Sequence, residues 1–525
     1  MRHVLGFASL SLLVASPVLA EAADAPVAVT IRPDQPGARI SRDLFGQFAE
    51  QLGTGNYGGI WVGPQSPIPN VRGIRSDVVA ALRALKVPNV RWPGGCYADD
   101  YHWQGGVGPA RDREATVNAA WGNVPDPHSF GTDEFMDFLG QIGSEAYISL
   151  NVGSGTVKEA ADWMAYMTAP TTSSAGQRRA ANGHPAPYKV KFAGIGNESW
   201  DCGGAMTADF YTSQMKLYAR FVHNFNPDQK GDAAMRFVAV GPGAPNPGWT
   251  ETVMKAWKQH TWAWDVQALS LHYYTVGGWP PSKPSTGFGE DDYAKLTAET
   301  LKLNAFLDGE AAVMDRYDPE KKVAISVDEW GLWLAPDPGT NKDYLRQQNS
   351  LRDAINAALY LDMFVRRADR VRMANIAQMV DVLQAMVLTD GPKMVLTPTY
   401  HLFAMYLPFQ DATAIPVSFD AGSYRHGDVV LPRVDAIAAR DKNGKLWLAV
   451  TNIDPTRPVS IRVALSGVVA KGAAGTLLTA PRVDTVNSFD APDAVRPTAL
   501  SGRVDGGRVA LDLPAKSVAV VQIAD

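Results

Sequence analysis

The chain is poor in cysteine: its 525 residues hold only Cys96 and Cys202. Two cysteines exclude a disulfide-rich scaffold, and with no further Cys or His at ligand spacing they do not make a zinc site. One bridge between them and two free thiols both fit the sequence. No long Lys/Arg block is present and the formal net charge is -5, so the electrostatic pull that drives binding to nucleic acid or anionic membrane is missing. Neither partner is expected. Beyond the first twenty residues, no uninterrupted apolar run approaches the roughly 18 residues needed to cross a bilayer. The HExxH pattern is absent, and GGVGPA lacks the strand-to-helix context of a phosphate loop.

What is present is a chain 46% hydrophobic and 20% charged, enough to bury a large core and to hold two domains. The opening MRHVLGFASLSLLVASPVLA combines a basic start, an apolar segment and small residues before a cleavage site. That pattern predicts a signal peptide over 1–20 and an exported protein, periplasmic or secreted.

Short apolar runs then alternate with long segments of helical spacing. The runs are LFGQFAEQLG (44–53), VPNVRWPGG (87–95), EAYISLNVG (145–153), VKFAGIGNE (190–198), RFVAVGPG (236–243), ALSLHYY (268–274), VAISVDEWG (323–331) and ANIAQMVDVL (374–383). Eight strand–helix repeats predict a (β/α)8 TIM barrel over 43–408, in the α/β class, because parallel strands need helical crossovers and eight strands close without edges. From 409 to 525 the texture changes to short alternating strands separated by Gly, Pro, Asp and Asn, which predicts a C-terminal all-β sandwich. The isolated VAVTIRP within 21–42 is expected to add a strand to it.

In such barrels the chemistry lies at the C-terminal strand ends. Polar residues there are Glu50, Arg91, Cys96, Asn197, Glu198, His272, Tyr274, Asp328, Glu329, Gln378 and Asp381. Glu198 and Glu329 end strands four and seven and so face each other across the mouth. Paired carboxylates of this kind hydrolyse glycosides, one protonating the leaving oxygen while the other attacks or activates water. Asn197 is placed to bond a sugar 2-hydroxyl, and Glu198 to deliver the proton. Arg91 is expected to orient carboxylates, and Trp121 and Trp333 to face substrate.

The fragments AEQLGTGNYGGIWVG, VRWPGGCYADDYHWQGGVGP, GIGNESWDCGG, SVDEWG and ANIAQMVDVLQAMVLTD with TPTYHLFAMY occur in this order over most of 44–406. The ordered set resembles the α-L-arabinofuranosidases of glycoside hydrolase family fifty-one. The resemblance implies Glu198 as acid/base, Glu329 as nucleophile, and Glu50, Asn197, His272, Tyr274 and Gln378 as sugar-binding residues. It also implies a retaining, exo-acting enzyme that needs no cofactor or metal, acts on arabinose-containing plant polysaccharides or oligosaccharides, and forms homo-oligomers. Two positions depart from the pattern. Gln51 stands where the family has His, and Cys96 occupies a substrate-binding position where some members carry Asn. The alternatives are a related barrel glycosidase acting on xylosides or β-glucans and a non-catalytic carbohydrate-binding protein.

Overall fold

Each of the eight apolar runs contributes one strand to a closed parallel barrel in the computed structural model, which describes residues 25–525. The leader expected over 1–20 lies outside the described residues. The strands are β1 Gly46–Phe48, β2 Asn89–Trp92, β3 Glu145–Leu150, β4 Val190–Ile195, β5 Arg236–Ala239, β6 Ala268–Thr275, β7 Ala324–Leu332 and β8 Val371–Ile376. They follow one another around the ring, and β8 closes on β1 through Asn375 opposite Gly46 and Ile376 opposite Gln47. The expected (β/α)8 barrel is therefore the architecture.

β8 starts earlier and ends earlier than its apolar run. The residues after Ile376 leave the ladder, yet Met379, Val380, Val382 and Leu383 remain buried over the barrel mouth. Apolar composition there reports burial rather than a strand.

Helices fill the crossovers, and their caps are readable in the sequence. Thr156, Thr207 and Thr397 each accept a hydrogen bond from the backbone N–H three residues on, satisfying a donor that the helix cannot. Ser350 and Asp353 form a reciprocal capping box. The long stretch from Asp291 to Tyr317 is two helices, Glu290–Leu301 and Leu303–Tyr317, hinged at Lys302. The Ala/Ser-rich segment near 169–176 contains a further short helix, Ser174–Ala181, capped by Ser173.

The C-terminal β domain is a ten-stranded sheet curled on itself. Its two terminal strands, Thr413–Ile415 and Val417–Phe419, are separated in sequence only by Pro416. The curl encloses Val29, Ile31, Val450, Ile461, Val463, Leu511 and Val521 in one core. Val27–Ile31 lies inside this sheet, parallel to Val459–Leu465 and antiparallel to Val417–Phe419. Helix Leu351–Arg366 is buried from Leu351 to Val365 and packs between barrel and β domain. One apolar cluster runs through both, joining Ile376 and Phe403 to Ile437, Ala449 and Val520. This apolar continuity fixes the β domain against the flank of the barrel.

Candidate active site

Two local distortions aim the carboxylates. After β4 the chain turns through Gly196 at φ +89, where a Cβ would sit 2.9 Å from Ser199 Oγ. Glu198 itself adopts φ +37, a left-handed conformation costing a non-glycine residue of order 1–2 kcal/mol. The turn is held by backbone bonds from Asp201 and Gly203 to the Glu198 carbonyl, at 2.7 and 3.1 Å. Buried Asp99 accepts from the backbone N–H groups of Val152 and Gly153, both at 2.8 Å, and of Asn197 at 3.2 Å. It thereby ties the loops after β2, β3 and β4 together.

On β7 the distortion is a change of register. Ser270 pairs with Ser326, but His272 pairs with Glu329, so β7 carries one extra residue against β6. Neighbouring side chains on a regular strand alternate faces, and a bulge breaks that alternation. Asp328 and Glu329 consequently both reach groups of the barrel interior. Trp330 instead packs outward against Tyr360, Phe364 and Phe403.

A ring nitrogen of His272 and one carboxylate oxygen each from Glu198 and Glu329 lie within 4.8 Å of one another. His272 Nδ1 is 2.9 Å from Glu198 Oε1 and 3.5 Å from Glu329 Oε2, while Nε2 is 3.4 Å from Asp328 Oδ1. Burial alone pulls the imidazole down, but Glu329, Asp328 and Glu198 outweigh it and push it up to about 10. The direction favours the protonated imidazole, whose two nitrogens face the three carboxylates. In the other grouping of metal-type donors, Cys96, Glu198 and Cys202, both sulfurs are joined in a disulfide.

Arg91 donates at 2.6 Å to Glu329 Oε1 and at 2.6 Å to Asn197 Oδ1, with its guanidinium over the Phe48 ring. Burial opposes its charge, yet Glu329 and Asp328 hold it well above the ordinary range. Tyr274 donates to Glu329 Oε2 at 2.8 Å. Asp328 accepts from Tyr147 and Ser270, both at 2.5 Å. Burial raises its carboxyl, but Arg91, His272 and Ser270 bring it below the usual value.

Glu50 sits across the pocket, accepting from the Tyr97 N–H at 3.0 Å and from Gln378 Nε2 at 3.2 Å, while its own N–H donates to Gln378 Oε1 at 3.0 Å. Gly95 makes room for it, since a Cβ there would lie 2.9 Å from Oε1. Burial first, then the charge of Glu329, raises this carboxyl to about 7. Gln51 orders the first loop: its Oε1 accepts from Asn56 at 2.8 Å and its carbonyl from Asn118 at 2.6 Å. Asn118 Oδ1 in turn accepts from the backbone N–H of Trp121, whose ring centroid lies 6.4 Å from that of Trp333.

Of the sequence candidates, Glu50, Asn197, Glu198, His272, Tyr274, Glu329 and Gln378 come together in one pocket, joined by Arg91 and Asp328. Cys96 is at the rim as half of the disulfide with Cys202, so it presents no thiol; the Cys202 sulfur lies 3.6 Å from Glu198 Oε2. Asp381 is directed elsewhere, bonding Arg346, Thr54 and Thr389. Tyr147 and Asp99 escaped the sequence reading. Tyr147 lies mid-strand among apolar neighbours and carries no local signal, whereas the buried acid of the CYADD segment was open to notice.

Two carboxyl side chains facing one another at the mouth of a parallel barrel, with one histidine between them, are the arrangement of paired-carboxylate glycoside hydrolysis. The comparisons narrow this. A family model described as "Alpha-L-arabinofuranosidase 1 domain" matches residues 81–283, and one described as "Alpha-L-arabinofuranosidase C-terminal domain" matches 328–517. The family fifty-one arabinofuranosidase of Xanthomonas axonopodis pv. citri superposes with a TM-score of 0.92 at 49% identity, covering 95% of this chain and 99% of that one. The arabinose complex of the Thermotoga maritima α-L-arabinofuranosidase gives a TM-score of 0.82 at 30% identity over 94% and 99%. An intracellular exo-α-L-arabinofuranosidase of Bacteroides ovatus is 42% identical over 94% of this chain and 95% of its own.

The chain thus belongs to the α-L-arabinofuranosidases of glycoside hydrolase family fifty-one, and it is an enzyme of the glycoside hydrolase type. The expectation of export is overturned by the Bacteroides relative, which is an intracellular protein by name. Among the described residues, no helix is long and apolar enough to cross a membrane.

Proposed function

We propose that the enzyme removes terminal α-L-arabinofuranosyl groups from arabinose-containing carbohydrates with retention of configuration. The observation that carries this reading is the approach of Glu198 and Glu329 oxygens within 4.8 Å. Carboxyl groups about 5–5.5 Å apart suit a covalent intermediate, whereas about 6.5–9.5 Å leaves room for the water of an inverting enzyme. Glu329, fixed by Arg91 and Tyr274, is the nucleophile. It attacks the anomeric carbon as Glu198 protonates the departing oxygen, and Glu198 then takes a proton from the water that releases arabinose.

Asn197 and Glu50 take sugar hydroxyls, with Gln378 orienting Glu50. His272 Nδ1 lies between Glu198 Oε1 and Glu329 Oε2 and holds the two side chains toward one another, and Trp121 and Trp333 flank the entrance. Self-association, implied by the family resemblance, is a proposal on the same footing.

Aryl α-L-arabinofuranoside hydrolysis by wild type, Glu198→Gln and Glu329→Gln, with β-xyloside and β-glucoside as controls, tests the roles. Glu329→Gln is expected to lose at least about 10⁴-fold in kcat. Glu198→Gln should lose less, because a good aryl leaving group needs little protonation. Preference for another glycoside would overturn the sugar assignment, and an active Glu329→Gln would overturn the nucleophile.

A further inference from the structure

Sequence spacing offers Cys96 and Cys202 no third metal ligand, but the fold supplies one. The loops after β2 and β4 bring both sulfurs and a carboxylate oxygen of Glu198 within 4.8 Å of one another. Cys202 Sγ stands 3.6 Å from Glu198 Oε2. Around a tetrahedral zinc, with Zn–S of about 2.3 Å and Zn–O of about 2.0–2.2 Å, a sulfur and an oxygen ligand lie about 3.5 Å apart. One edge of a coordination tetrahedron is therefore already in place.

The sulfur–sulfur edge is closed by the disulfide, which leaves neither sulfur a thiolate. Reduction opens it. Two thiolates on one zinc stand about 3.8 Å apart, and Cα atoms 5.5 Å apart allow that separation by side-chain rotation alone. Cys202 is exposed and Cys96 half-buried, so a reductant and a cation both reach the pair from solvent. Glu198 Oε1 is held by His272 Nδ1 at 2.9 Å, so Oε2 is the oxygen turned to the sulfurs, and the carboxylate has the hydrogen bond that orients a metal ligand.

We propose that Cys96, Cys202 and Glu198 of the reduced enzyme form an inhibitory site for a thiophilic divalent cation, with water in the fourth position. This rests on the reading of Glu198 as the acid/base, because a cation on Oε2 displaces the proton that this carboxyl must deliver. The gate is a two-electron exchange. One thiolate of a dithiol reductant attacks Cys202 Sγ and forms a mixed disulfide, while Cys96 leaves with the bonding pair and takes up a proton. The second thiol of the reductant then releases Cys202 as a thiol, and the reductant departs as a cyclic disulfide. The cation replaces the two thiol protons when it binds.

The test reduces the full-length enzyme with excess dithiol, removes the dithiol without air, confirms two free thiols per chain, and adds zinc at about 10 µM. Bound zinc is counted after gel filtration, and kcat is read on an arabino-oligosaccharide, whose poor leaving group needs the proton. The reduced chain is expected to hold one zinc, to lose at least about tenfold in kcat, and to recover on chelation. The oxidised enzyme should hold none and keep its rate, a comparison that needs no variant. Cys202→Ser under the same reductant should lose most of the zinc uptake. Equal inhibition of oxidised and reduced enzyme overturns the site, since zinc would then act at other groups. So does a reduced chain that takes up no zinc, or takes it up with no loss of rate. A reduced chain inactive before zinc is added also overturns it, because the bridge itself would then be what activity requires. Glu198→Gln with wild-type kcat on the oligosaccharide would instead sink the acid/base reading, while zinc uptake by reduced wild type still reported the thiol pair.

Discussion

At the scale of single residues, the site spends stability to hold charge out of water. Glu50 is buried near Glu329 with its carboxyl raised from the usual 4.5 to about 7. A raised value means that the folded enzyme binds this proton more tightly than the unfolded chain does. Its contribution is fully present below about pH 4.5 and is lost as pH rises through about 7. Glu50→Gln, which mimics the neutral form, is therefore expected to unfold at a higher temperature than wild type at pH 8, the difference shrinking toward pH 5. Thermal melts across that range check it. A gap that is flat or widens on acidification would show that Glu50 is not held against its charge. The same variant should bind arabinose more weakly, since a neutral amide is a poorer acceptor for a sugar hydroxyl than a carboxylate. His272, raised to about 10, follows the same sign over a higher window, its contribution falling between about pH 6.5 and 10.

Among the elements, the loops after β2 and β4 matter most, because they carry Cys96 and Cys202 and the turn that aims Glu198. Their disulfide closes a separation of 106 residues, for which the chain-entropy estimate is about 4–5 kcal/mol. Cys202→Ser is expected to lower the urea midpoint. A reductant should lower the wild-type midpoint equally and leave the variant unmoved. Equal midpoints with and without reductant would mean that the bridge contributes nothing.

This is also where the sequence spoke least. The strand ends, the two glutamates and the caps were legible because periodicity and polar punctuation report them directly. The Cys96–Cys202 pairing depends on how two loops far apart in sequence meet. Likewise, the one-residue bulge that turns both Asp328 and Glu329 inward is set by its neighbour β6, and strand alternation alone would have placed them on opposite faces. Arg91 could be read as an orienting residue, but not as a side chain that reaches both Glu329 and Asn197. Tyr147, beneath Asp328, is invisible without the fold.

For the whole molecule, the barrel supplies a rigid ring and the β domain closes its flank through the buried helix Leu351–Arg366. The family model for the C-terminal part begins at Asp328, within β7, and so takes in the end of β7 and all of β8. That boundary fits the continuous apolar core joining the two. We therefore propose that catalysis is a property of the intact chain, with Glu329 as its nucleophile. The measurement that tests this most directly is to inactivate the full-length enzyme with a mechanism-based arabinofuranosyl inhibitor and map the label by peptide mass spectrometry. One arabinofuranosyl adduct per chain, on Glu329 and absent from Glu329→Gln, is the predicted result. An adduct on Glu198, or turnover of aryl arabinofuranoside with no covalent species trapped, would contradict it.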